Sequence, residues 1–314
     1  MKRITALLLL ITLLFSLCAC KKEEPVAPPA PGQATPQRPI TEYVEVEKDF
    51  EFNLQNYPRM GGSLAALPLG EALTANVLGL TREEATKLLV FDGSTTSNYE
   101  RLRNGTFDII LAYEPAESVK LEYGVEFEFI PIAKDALVFI TGKDNPVNNI
   151  LKDEVEGIFK GEITSWSEVG GNNSGIVPYM RNRDSGSQTL FDMFFDLGDS
   201  NYVGNDYVVG SMGGLLEAIA NYNGSDEALG YTVYYYLTQM EDWTLKTSKI
   251  LSYNGVEPSI ETIESGEYEL SQNFYVVIRK TAEENSPERI LFNWIASEQG
   301  KQIAKNEGYA AATE

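Results

Sequence analysis

From Tyr57 onward, short apolar runs with strand character alternate with segments whose apolar residues recur at helical spacing, and that alternation restricts the chain to the α/β class. At three switches from extended run to helix stands a Gly-Ser step. Gly62-Ser63 precedes Leu64-Ala65-Ala66-Leu67. Gly93-Ser94-Thr95-Thr96 precedes Asn98-Tyr99-Glu100-Arg101-Leu102. Ser185-Gly186-Ser187 precedes Thr189-Leu190-Phe191, with Arg181 just upstream. A helix start leaves backbone N–H groups unpaired and carries a partial positive charge. Glycine lets a ligand approach that backbone, and serine adds a hydroxyl donor. In α/β folds these starts lie beyond the carboxyl ends of strands, where ligands bind. Converging starts of this kind make a cage for a small oxyanion, although each serine taken singly is also an ordinary N-cap.

The pattern predicts helices over 63–78, 81–88, 98–103, 152–159, 187–195 and 215–220, and a long amphipathic helix over 286–304. Thr81 and Glu84 form a capping box, and Pro68 is tolerable only near a first turn. Strands are predicted at 90–91, 107–112, 127–132, 136–140, 176–180, 230–236 and 274–278.

The N-terminus reads as a leader. Lys2 and Arg3 precede a run, Ile4 to Leu17, that is apolar apart from Thr5, Thr12 and Ser16 and too short for a comfortable membrane span. It ends in Leu17-Cys18-Ala19-Cys20, which looks like a bacterial lipobox with Cys20 as the acylated residue after cleavage. Residues 1–19 are thus expected to be a lipoprotein signal peptide, and 20–45 a lipidated Cys20 with a proline-rich tether (Pro25, Pro28, Pro29, Pro31, Pro36, Pro39) reaching roughly 60 Å when extended. This places the protein on the outer face of a bacterial cytoplasmic membrane, with membrane contact through the anchor only.

Composition narrows the chemistry. Both cysteines lie in the leader region, so the mature chain has no internal disulfide, and the sequence has no histidine. Serine-histidine and cysteine-histidine catalysis are therefore excluded within this chain, and its remaining Ser-Lys options lack a Ser-x-x-Lys at Ser94 or Ser185. We expect no enzyme, no cofactor and no metal. A formal charge of -21 repels nucleic acid, so an anion site must be made locally by backbone dipoles and a few basic groups. About eight charge-assisted hydrogen bonds would suffice for a micromolar complex after the cost of association.

Several segments then stand in a recognisable order. These are Gly62-Ser63-Leu64-Ala65-Ala66-Leu67-Pro68-Leu69, Asp92-Gly93-Ser94-Thr95-Thr96, Lys134-Asp135-Ala136-Leu137-Val138-Phe139, and Ile158-Phe159-Lys160-Gly161-Glu162-Ile163-Thr164-Ser165-Trp166. Arg181-Asn182-Arg183-Asp184-Ser185-Gly186-Ser187, Leu229-Gly230-Tyr231 and Asn254-Gly255-Val256-Glu257-Pro258 follow. Together they resemble the phosphate-binding proteins of bacterial phosphate ABC transporters, within the type II periplasmic-binding-protein superfamily, over nearly all of Tyr57 to Gly308. The resemblance implies two α/β lobes, each a mixed sheet flanked by helices, joined by two hinge crossings. Lobe I would take 50–140 and 250–314, and lobe II 141–249. It implies a ligand set of Ser63, Leu64, Ser94, Thr95, Glu114, Arg181, Ser185, Gly186 and Ser187. Ser63 would give a hydroxyl and a backbone N–H, and Arg181 a guanidinium fork to two ligand oxygens. The implied partners are phosphate or a similar oxyanion and an ABC permease that reads lobe closure, with the receptor a monomer.

Two departures qualify this pattern. Leu64 stands where the family often has a second hydroxyl. Where phosphate binders carry a carboxylate that accepts the ligand's proton, alignment on Pro115 puts Tyr113, with Glu114 next to it as the substitute. The alternatives are the same fold holding another anionic metabolite, and a sensory or adhesive lipoprotein that uses its cleft to engage a protein partner.

Overall fold

The structure, a computed structural model, describes residues 48–92, 94–115, 126–183, 185–195, 197, 208–221 and 226–312. The leader, Cys20 and the tether lie outside the described residues, as do Gly93 and Asp184.

Strand β1 (Met60–Gly62) runs into a short 3-10 turn (Leu64–Ala66) and helix α1 (Leu67–Leu78), with Pro68 in the first turn as its missing N–H requires. α2 (Arg82–Thr86) opens on the Thr81–Glu84 capping box. α3 (Thr95–Arg103) follows, then β2 (Ile109–Tyr113) and the long β3 (Phe127–Gly142). Next come β4 (Asn149–Ile150), α4 (Lys152–Lys160), β5 (Val177–Pro178), β6 (Met180–Arg181) and α5 (Gly186–Phe194). After β7 (Val208–Val209) come α6 (Met212–Asn221), β8 (Ala228–Val233), β9 (Ser248–Ile250) and β10 (Ser252–Tyr253). The chain closes with α7 (Ile260–Ser265), β11 (Ser271–Arg279), α8 (Pro287–Ile295) and α9 (Glu298–Asn306).

Seven of these strands form a mixed sheet in the order β1-β2-β11-β3-β8-β5, with β9 also on β3. β3 organises it by changing partners along its length. Residues 127–136 pair with β11, and 137–142 pair with β8 and β9. The sequence pattern predicted two strands here, because Pro131 and the Lys134-Asp135 pair interrupt the apolar run. Those residues are instead carried through a register shift opposite Phe274 and Tyr275, which leaves Asp135 buried mid-strand.

Other boundaries moved for equally local reasons. Tyr234 to Tyr236 do not extend β8; the chain turns helical at Tyr234, with a turn of π-helix over Tyr236–Met240. The predicted 286–304 helix is two helices that break before Ser297, the N-cap of α9. α3 and α6 start earlier than predicted, directly after Ser94 and at Met212. The segment 176–180 divides into β5 and β6.

α5 is fastened to the sheet by aromatic packing. The Phe191 ring stacks on Tyr231 of β8 at 4.6 Å between centroids and meets Phe159 of α4 at 4.8 Å, all three fully buried. On the other side, buried Tyr99 pins α3 by donating its hydroxyl to the Tyr113 carbonyl at 2.8 Å.

Candidate anion site

β1, β2 and the bridge at Val90 are parallel: Gly62 lies opposite Leu111, and Gly61 opposite both Ile110 and Val90. Their carboxyl ends therefore open on one edge, and Ser63, Ser94 and Tyr113 emerge there together. Gly62 is needed for this approach, since a Cβ there would stand 2.2 Å from the Leu111 carbonyl oxygen.

Ser63 is 7 % exposed, and its hydroxyl has no hydrogen-bond partner among the described residues. Its backbone N–H, expected to face a ligand, instead donates to the Leu111 carbonyl at 2.9 Å. Parallel pairing runs one residue past β1 and consumes it, so the amides available at this start are those of the following turn. Leu64, half-buried, opens that turn and packs on the core. Thr95, at the first position of α3, also carries a buried hydroxyl with no partner among the described residues. Buried hydroxyls are nearly always bonded, so two orphans at neighbouring helix starts point to something they are built to meet.

Ser94 and Ser185 cap α3 and α5, accepting from Ser97 N–H at 3.2 Å and Gln188 N–H at 3.1 Å. Capping uses an oxygen lone pair and leaves each O–H to donate elsewhere, so cap and ligand roles coexist.

Arg181 ends β6 and is 6 % exposed. Its Nε donates to the Val209 carbonyl at 3.1 Å and one terminal nitrogen to Ser187 Oγ at 3.3 Å. Its backbone N–H donates to the Tyr231 hydroxyl at 3.1 Å, which in turn donates to Gln188 of α5. Among the described residues no carboxylate lies within 4.0 Å of the guanidinium. Burial pushes its pKa down to about 10, so it remains a cation at neutral pH, desolvated and with no counter-charge in contact among the described residues.

The two halves of the set meet. A Cβ built on Gly186 would stand 3.1 Å from Thr95 Oγ1 and 3.3 Å from a Tyr113 ring carbon. The start of α5 therefore sits against the start of α3 and the end of β2. Glu114, half-buried beyond β2, accepts from Gln272 Nε2 at 3.0 Å, and the same nitrogen lies 3.3 Å from Met193 Sδ on α5. Replacing Gly186 with alanine should push Thr95 or Tyr113 aside and weaken anion binding about tenfold, measurable by titration calorimetry.

Sequence reasoning missed one buried group here. Asp135 of β3 is fully buried, and burial raises its pKa to about 6. Its Oδ1 accepts from Ala136 N–H at 2.8 Å and Tyr235 N–H at 2.9 Å, and its Oδ2 accepts the Tyr113 hydroxyl at 2.6 Å. A charged pair inside an apolar strand was the visible signal.

Comparison with known proteins agrees with the fold. A family described as the PBP superfamily domain matches residues 62–298. The phosphate-binding protein PstS of Borreliella burgdorferi is 25% identical over 256 residues, covering 80% of this chain and 88% of that protein. The protein SphX of Synechococcus elongatus is 24% identical, covering 79% and 75%. Among solved structures, a Clostridium perfringens protein crystallised with bound phosphate superposes with a TM-score of 0.66 at 23% identity, covering 82% of this chain and 100% of that one. An ABC-type phosphate transport receptor from Vibrio cholerae gives a TM-score of 0.60 at 23% identity, covering 81% and 99%.

Proposed function

Since the chain belongs to the PBP superfamily, we propose that it is an extracytoplasmic solute receptor that captures phosphate or a similar small oxyanion and delivers it to an ABC permease. The observation that carries this reading is Arg181: a buried cation with no carboxylate within 4.0 Å among the described residues, held beside the α5 start, which meets the α3 start and its Thr95 hydroxyl, unpartnered among the described residues. A desolvated guanidinium is costly alone and strongly favourable against an anion that satisfies its fork. The names of the relatives, which are phosphate-binding and transport proteins, support the same ligand class.

In this reading Ser63, Ser94, Thr95 and Leu64 form one wall, and Arg181, Ser185, Gly186 and Ser187 the other, with Glu114 at the rim. The walls belong to lobe I (50–140 and 250–314) and lobe II (141–249), hinged where the chain crosses between them. An anion satisfies both walls only when they meet, so ligand favours the closed state, which a permease reads. The receptor works as a monomer tethered through Cys20, with residues 1–19 removed. It is a binding protein rather than an enzyme.

Titration of residues 46–314 with phosphate, sulfate and arsenate tests this. One site of about micromolar affinity or tighter for phosphate is expected. Absence of binding by all three at millimolar concentration would overturn it.

A further inference from the structure

The turn that follows Ser63 is gripped by a side chain 244 residues downstream of it. Tyr309, buried in the stretch after α9, donates its hydroxyl to the Ala65 carbonyl. Burial raises its pKa well above that of a free phenol, so it stays a donor. Within the Leu64–Ala66 turn, the Ala66 N–H is taken by the Ser63 carbonyl at 2.8 Å. Leu64 and Ala65 open the turn, so their N–H groups have no acceptor inside it. Peptide N–H and C=O groups point opposite ways along a helical turn. A donor on the Ala65 carbonyl therefore holds the turn by its back and leaves those two N–H groups on the other side.

Tyr309 is itself held firmly. Its N–H donates to the Ala304 carbonyl at 3.1 Å. Ala310 bridges to β3, accepting the Lys134 N–H at 2.8 Å, and the Ala311 N–H donates to Glu264 of α7 at 2.9 Å. The Tyr309 ring stacks on Tyr235, with centroids 3.6 Å apart and planes 8° from parallel. Tyr235 donates its hydroxyl to the Glu307 carbonyl at 3.1 Å, and Glu307 pairs with Arg82 of α2. The hydroxyl on Ala65 is thus delivered by a framework fastened to β3, α2 and α7.

We propose that Tyr309 is a positioning residue for anion capture: it fixes the Ser63–Ala66 turn, before the ligand arrives, in the orientation that offers the turn's open N–H groups to the anion. This inference rests on the anion-receptor reading and adds to it the residue that aims its first wall. A turn fixed in the empty protein has its ordering cost met on folding, so less is lost on binding. The bond to the Ala65 carbonyl also polarises the peptides of the turn and strengthens their N–H donors.

The test is calorimetric titration of phosphate, sulfate and arsenate into the wild-type protein, then of the tightest of them, expected to be phosphate, into Tyr309→Phe and Tyr268→Phe. Tyr268 is the control: it is fully buried, and its hydroxyl donates to a backbone carbonyl on β3, that of Leu137, at 3.1 Å. Each variant keeps the ring and loses one buried hydrogen bond, so the two should lose similar ligand-free stability in urea. Tyr309→Phe should weaken phosphate binding by about five- to tenfold, and Tyr268→Phe by less than about twofold. Ser63-Leu64 is the only Ser-Leu step after the leader, so serine labelled at its carbonyl carbon with leucine labelled at its nitrogen isolates the Leu64 amide by NMR. Its phosphate-induced shift should shrink in Tyr309→Phe and persist in Tyr268→Phe, a difference that lost stability alone does not produce. A folded Tyr309→Phe that keeps wild-type affinity, or that loses affinity with the Leu64 shift intact, would overturn the inference while sparing the receptor reading, as would equal losses of affinity in both variants. Wild type that binds none of the three anions would end both.

Discussion

Arg181→Ala is expected to weaken phosphate binding by roughly 100- to 1000-fold while leaving the ligand-free protein about as stable as before. The first part follows from chemistry. A guanidinium fork gives an anion two charge-assisted hydrogen bonds, each of about 1.5–3 kcal/mol, and alanine removes both. The second part follows from the ligand-free energetics. Among the described residues Arg181 is buried with no carboxylate within 4.0 Å, so its desolvation opposes folding, and deletion leaves Ser187 Oγ and the Val209 carbonyl among them to be rehydrated. The same variant should lose the rise in melting temperature that phosphate induces in wild type. Arg181→Lys keeps the charge but not the fork and should fall between. A ligand-free Arg181→Ala protein destabilised by several kcal/mol would assign Arg181 to the framework instead.

The second large effect is a pH dependence removed by Asp135→Asn. The Asp135 carboxyl titrates near 3.8 when unfolded and near 6 in the folded protein, where burial disfavours its charge. Below the lower value both states hold the proton and the carboxyl costs nothing. As pH rises, the unfolded chain ionises first while the folded protein keeps its proton, so stability is lost progressively between about pH 4 and 6 and is constant above. A shift of about two units corresponds to roughly 3 kcal/mol. Asparagine is the same shape, never ionises, and still accepts the Ala136 and Tyr235 amides. Urea unfolding should therefore show Asp135→Asn gaining roughly 3 kcal/mol on wild type between pH 4 and pH 7. A stability difference that stays flat across that range would contradict the raised pKa.

What could be read from the chain was what depends on neighbours in sequence. The Ser94 cap, the Thr81–Glu84 box and the Arg181 to Ser187 motif are local, and the structure brings Gly186 of that motif to the α3 start, with Ser185 rather than Ser187 as the cap of α5. Asp135 escaped because its meaning is non-local: Tyr113 lies 22 residues away and Tyr235 lies 100. The Ser63 amide was assigned to a ligand because one residue of extra pairing with β2 leaves no trace in composition. Tyr234 to Tyr236 read as strand because tyrosine suits strands, yet the Tyr235 N–H is needed by Asp135, and a helical turn delivers it. The split between α8 and α9 turns on close packing: a Cβ on Gly300 would stand 2.1 Å from the Ile295 carbonyl oxygen.

The most direct test is to crystallise residues 46–314 with arsenate and locate arsenic by its anomalous scattering. One strong peak should lie within hydrogen-bonding reach of Arg181, Ser187, Thr95 and Ser63. A peak elsewhere, or none at saturating arsenate, would contradict an anion held where the helix starts converge.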